Sequence, residues 1–177
     1  IYRLFELSGE KILNIEKTWK PEQGTPVFTV KGKYTSRGWT EWTQGFQYGS
    51  ALLQFDAMGD ERFLEIGKLG TVKFMASHVS HVGVHDHGFN NLSTYGNLRR
   101  LMLEGRLPEN EWENHFYELA IKTSGAVQAA RWTVARDVPK QAGNDHPTSI
   151  PTGVFPTSDG HINIAASGQH IFARMCK

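Results

Sequence analysis

Trp42-Thr43-Gln44-Gly45-Phe46-Gln47-Tyr48-Gly49-Ser50-Ala51-Leu52-Leu53-Gln54-Phe55-Asp56-Ala57-Met58 is the stretch that decides the fold. Trp42, Phe46, Gly49, Leu52, Leu53 and Phe55 recur at threes and fours, the period of a helix with one apolar face. The helical pattern covers Trp39 to Met58, and Gly59 follows as a C′ residue, where positive φ costs glycine least. Asp60 starts a second helix running to about Ser77, with Phe63, Ile66, Leu69, Phe74 and Met75 on its buried stripe. Gly67 and Gly70 inside it lower helix propensity and predict close helix packing.

Working outward, residues 2–19 carry Leu4, Phe5, Ile12, Leu13 and Ile15 at loose helical spacing, interrupted at Ser8-Gly9, which predicts two short pieces. Pro21 to Thr25 breaks the pattern, and Val27 to Tyr34 reads as a small extended excursion. Beyond the second helix, Asn91 or Ser93 can cap a helix that reaches Leu103 and ends at Gly105. Pro108 and Asn110 open the longest helix, 111–132, with Trp112, Phe116, Leu119, Ala120, Val127 and Ala130. Short loops between such helices predict a mostly α architecture, either a bundle, a solenoid or an α/α toroid. No repeat is visible, which disfavours short-period solenoids.

The character changes near Trp132. Residues 134–153 hold Pro139, Gly143, Pro147, Pro151 and Gly153 with little periodicity, a linker composition. Asp159-Gly160 between Val154-Phe155 and His161-Ile162 signals a two-residue β-hairpin. Ser167 can cap a last helix with Ile171, Phe172 and Met175. A hairpin and one helix cannot stand alone, so this segment needs another surface to pack on.

Composition narrows the function. The 177 residues are 39% hydrophobic, enough for one core, and a net charge of +1 gives no electrostatic case for nucleic acid or a membrane surface. The one cysteine, Cys176, cannot form an internal disulfide, and no apolar run approaches a membrane span. No signal-like segment opens the chain, so the reading is cytoplasmic. A start at Ile1 and a close at Met175-Cys176-Lys177 inside a helical pattern read as cuts.

Chemically capable side chains crowd at His85-Asp86-His87-Gly88-Phe89-Asn90, between two helices. A carboxylate flanked by imidazoles suits proton transfer, because burial and neighbouring charge tune its pKa. Asp86 is equally suited to capping the next helix while the histidines pack or face solvent. His78, His81, His85 and His87 with Asp86 suggest zinc in a third reading, but the spacing lacks the paired ligands of a structural site, and the assignment is no metal. No cofactor is implied.

Two resemblances follow. Trp42-Thr43-Gln44-Gly45-Phe46 with Gly49, Met58-Gly59-Asp60 with Phe63-Leu64, and His85-Asp86-His87-Gly88-Phe89 carry a likeness to (α/α)6-barrel glycosidases related to the unsaturated glucuronyl hydrolases, over residues 1–132. The likeness implies an incomplete six-hairpin barrel and hydration of an enol-ether double bond in an unsaturated uronic acid, unlike the usual two-carboxylate displacement. It implies Asp86 as one of two active-site aspartates, with Trp42 and His85 lining the sugar pocket. A flat indole suits a pyranose face, though a tryptophan is as often core. Gln44 and Asn90 can bond hydroxyls or cap helices. The family's second aspartate lies beyond the 111–132 helix and has no counterpart.

Val138 to Pro147 and Pro151 to Ala165 resemble the family III CoA-transferases, so that 133–177 reads as a fragment of that kind. Such enzymes exchange CoA between carboxylic acids through an aspartyl anhydride. The resemblance places that aspartate just before Gln128-Ala129-Ala130, where Ala126 and its neighbours offer no carboxylate between Glu118 and Asp137. The partners implied are an acidic oligosaccharide or unsaturated uronide, and a CoA thioester for the C-terminal segment. The chain therefore reads as a join of two segments, near residues 126–137, with neither catalytic set complete. Impaired action on uronides through Asp86, a CoA-transferase fragment and an inactive chimera are the three functional readings.

Overall fold

A computed structural model describes residues 1–38, 42–130, 152–165 and 173–174. They fall into two compact units, Ile1–Arg131 and Trp132–Lys177. The first is mostly helical, as the periodicity predicts, and α2 (Thr43–Met58) is its hub, in contact with α1, α3 and a wide π-type helix over Gly88–Gly96.

Gly59 takes the left-handed conformation at φ 74° and turns α2 into α3 (Glu61–Phe74), whose first turn is capped by Asp60 accepting from the Arg62 N–H. Glycines set the separations. A methyl at Gly45 would collide with the Phe89 carbonyl and the Asn90 Cα, and one at Gly49 would lie 2.6 Å from the Ser93 carbonyl. The backbones of α2 and the π-helix therefore touch. Gly67 and Gly70 serve the α2–α3 contact, facing Leu52 and Tyr48. Around this crossing Ala51, Leu52, Met75, Leu98 and Leu101 are fully buried, with Tyr95 and Tyr117 beside them.

Several elements depart from the periodicity. Residues 2–18 form one helix, α1 (Tyr2–Thr18), because Gly9 is a contact point against Gln54 and Phe63 and not a break. The extended excursion is a full hairpin, β1 (Thr25–Val30) and β2 (Lys33–Arg37), closed by Lys31-Gly32 with φ of 49° and 75°. Positive φ at both central residues matches the right-handed twist of the strands. The helix expected to reach Ser77 stops at Phe74, and one further turn, α4 (Ala76–Val79), follows once Met75 has entered the core. Neither Asn91 nor Ser93 caps a helix. Both lie inside the π-helix, which opens after His87 and continues into α5 (Asn97–Leu103). The long helix, α6 (Glu111–Ala130), has Tyr117, Ala120 and Ser124 on its buried side.

In the second unit β3 (Thr152–Thr157) and β4 (Gly160–Ala165) pair antiparallel. The turn is Ser158-Asp159, one residue earlier than the Asp159-Gly160 signal, and the Thr157 hydroxyl donates to the Asp159 carboxylate at 3.0 Å across it. Ala173 and Arg174 are helical. Of the expected 134–153 linker, residues 134–151 lie outside the described residues, as do Trp39, Ser167, Ile171, Phe172, Met175 and Cys176, while Thr152 and Gly153 belong to β3. Among the described residues no helix is long and apolar enough to cross a membrane.

Candidate functional site

The loop after α4 presents His85 and Asp86 at the surface of the first unit. The His85 side chain is largely exposed, that of Asp86 only 18%, and His85 Nε2 lies 3.6 Å from Asp86 Oδ1. The Asp86 carbonyl accepts the Asn90 N–H at 3.2 Å, so Asp86 opens the helical turn that carries Phe89. The Phe89 ring in turn meets Trp42 at 5.5 Å and Phe46 at 5.6 Å, and Trp42 meets Phe46 edge-on at 5.5 Å. All three rings keep two-fifths to half of their surface in solvent. Contacts at this separation are favourable, yet exposed aromatic trios are unusual surface for an isolated unit.

The loop is also anchored in a buried polar layer. His87 is 2% exposed, with Nδ1 2.8 Å from the Ser124 hydroxyl and Nε2 2.6 Å from the His81 carbonyl. A carbonyl only accepts, so the neutral ring carries its proton on Nε2 and takes the Ser124 O–H at Nδ1. Asn91 donates its amide to the His78 carbonyl and to Ser124 Oγ, at 3.1 and 2.9 Å. His78 Nε2 meets Gln44 Oε1 at 2.7 Å and donates to it. Burial first, then the nearby His81 and His87, push the His78 pKa down to about 4. Tyr48, bonded to Gln44, is pushed up to about 12 by burial and by Glu16.

The sequence candidates thus separate into two groups. Trp42, His85 and Asp86 keep surface in solvent, Trp42 within the aromatic face with Phe46 and Phe89, and His85 with Asp86 in the loop that precedes Gly88. Asn90 is buried, its Oδ1 accepting the Gly45 N–H at 2.9 Å, and it pins the start of α2. Gln44 is committed to His78 and Tyr48, though it also lines a cleft of about 540 Å³ between α1, α2 and α3 with Trp19, Lys73 and Phe74. Trp42 and Phe46 line an adjoining cleft of about 420 Å³ with Val27 and Tyr34. Asp86 and His85 line neither. Among the described residues no three His, Cys, Asp or Glu side chains converge as a metal site.

Sequence reasoning did not single out Ser124, which the structure places against the His-Asp loop. The available signal was a hydroxyl on the buried stripe of α6, one turn beyond Ala120 and two beyond Tyr117.

Compared with known proteins, residues 116–177 match the family model of CoA-transferase family III, which covers less than half of the chain. The match begins at Phe116, inside α6, and takes in the whole of 133–177. No curated protein and no solved structure matches the chain. The C-terminal segment is thus similar to CoA-transferase family III, and the match does not extend to residues 1–115, where the glycosidase likeness rests on its motifs.

Proposed function

We propose that the C-terminal segment recognises a CoA thioester without transferring it. The observation that carries this reading is the match of residues 116–177 to CoA-transferase family III. Recognition is separated from transfer because the chain offers no carboxylate between Glu118 and Asp137, and alanine at 126 cannot form an anhydride. The full chain is expected to release heat on titration with an acyl-CoA. It is also expected to leave the label in place when an acyl-CoA and a labelled free carboxylate are incubated with it. Absence of binding by a folded chain defeats the recognition reading. Label exchange defeats the separation from transfer.

A second reading concerns the first unit, favoured by the exposed Trp42–Phe46–Phe89 trio and by the His85-Asp86 pair that shortly precedes Phe89 in the chain. We infer that this face binds an unsaturated uronide. The ring faces suit the C–H surface of a pyranose, and Asp86 with His85 can bond its hydroxyls or hold a proton. Binding is proposed and turnover is not, because the glycosidase likeness supplies one aspartate where that family uses two. Trp42→Ala is expected to weaken retention of a 4,5-unsaturated uronate disaccharide about tenfold, the size of one lost aromatic contact with its buried area. Saturation-transfer NMR with the parent and the variant checks this, and equal signals from both would sink it.

A further inference from the structure

α6 reaches the His-Asp loop at two points. Ser124 Oγ donates to His87 Nδ1 at 2.8 Å and accepts from Asn91 at 2.9 Å, so its donor and one acceptor site are both used. One turn further on, Gln128 Nε2 donates to the Val84 carbonyl at 3.2 Å. His87 passes the tether back to the His81 carbonyl, and Asn91 passes it to the His78 carbonyl. The segment from His78 to Asn91 is therefore held at four points, with His85 and Asp86 between Val84 and His87. Ser124 is 5% exposed and sits where its bonds are shielded from water.

We infer that Ser124, assisted by Gln128, is a positioning residue that holds the His85-Asp86 turn in place between Val84 and His87, although both tethers lie within the stretch similar to CoA-transferase family III. The inference rests on the uronide reading for what Asp86 does, but not for where it is held. α6 belongs physically with the loop: its Ser124 and Gln128 bonds are specific, directional and run to residues of the first unit. Without Ser124, His87 Nδ1 and Asn91 each lose a partner in a buried layer, and the loop is left with the weaker Gln128 bond.

The test uses the full chain with Ser124→Ala and, because Gln128 is only half-buried and lies outside the core, Gln128→Ala as a second variant. Amide exchange over residues 84–87, the carbon-13 chemical shift of the Asp86 carboxyl and retention of a 4,5-unsaturated uronate disaccharide are read together. Ser124→Ala is expected to speed exchange at 84–87 about tenfold, the effect of one net buried hydrogen bond. It should also move the carbon-13 shift of the Asp86 carboxyl while leaving exchange in α2 unchanged, and Gln128→Ala should do the same to a smaller extent. Loop exchange and an Asp86 carboxyl carbon-13 shift unchanged in both variants would overturn the proposal, whatever happens to melting temperature. If the parent chain binds no uronide while the loop readouts move as expected, the uronide reading fails and the positioning role stands. Should Ser124→Ala not fold, Gln128→Ala decides the matter through the same two loop readouts.

Discussion

Gly45→Ala is expected to lower the stability of the first unit by about 3 kcal/mol or more, at the upper end of what an overpacked methyl costs. The reason is what the methyl would meet. At Gly45 it collides with the Phe89 carbonyl and the Asn90 Cα, both backbone, so no side-chain rotation can relieve it. The same shift breaks the Asn90 Oδ1 bond to the Gly45 N–H, leaving two buried groups without partners. The helix-propensity gain of alanine over glycine, about 1 kcal/mol, opposes this and is too small to reverse it. Gly125→Ala is the matched control, since a methyl there meets nothing within 4 Å and the propensity gain stands alone. Thermal melts of the two variants should therefore move in opposite directions, Gly45→Ala downward by roughly 10 °C. A Gly45→Ala melt equal to the parent would mean that α2 and the π-helix are not in backbone contact.

Glycine also explains how much of the fold could be read from the chain alone. The long apolar periods of α2, α3 and α6 exceed what chance or local turns supply, so those elements are legible. Gly9 and Gly67 look alike in sequence, both small residues inside a helical pattern. What separates a break from a contact is the facing surface, Gln54 and Phe63 for the first and Leu52 for the second, which lies far along the chain. The Lys31-Gly32 turn was illegible for a different reason: lysine at φ 49° is not the asparagine or aspartate that normally marks such a hairpin.

The candidate site divides on the same principle. Trp42, His85 and Asp86 stand out in the sequence because their chemistry depends on residue type, whereas the contact of Trp42 with Phe89 is non-local. Gln44 and Asn90 were ambiguous between ligand and scaffold because amides serve both. Their partners, His78 and Gly45, are 34 and 45 residues away. Ser124 had no local signature beyond polarity on an apolar stripe. Non-local hydrogen bonds decide such positions, and a single sequence contains no record of them.

His78 supplies the second large expected effect, a loss of stability on the acid side. Its ring is 1% exposed, donates to Gln44 and has a pKa pushed down to about 4 from an ordinary 6.5. In the unfolded chain the same ring returns to about 6.5. Between these values the unfolded state binds a proton that the folded state refuses, so stability rises with pH across the window and falls as pH drops from about 6.5 toward 4. Above 6.5 the ring is neutral in both states and contributes nothing to the slope. Below about 4 both states bind the proton and the loss is complete, on the order of 3 kcal/mol for a shift of this size. His78→Gln keeps an amide that can face Gln44 but cannot titrate, so it removes this slope while leaving the carboxylates and other histidines as they were. Urea melts of both proteins at pH 7 and pH 4.5 isolate the term as a difference of differences. The parent is expected to lose about 2 kcal/mol more than His78→Gln between those pH values. Equal losses would show that the buried layer behind the Asp86 loop already admits a proton in the folded state. The Gln44–His78 bond would then survive acid, and α2 would stay docked to α4 well below pH 6.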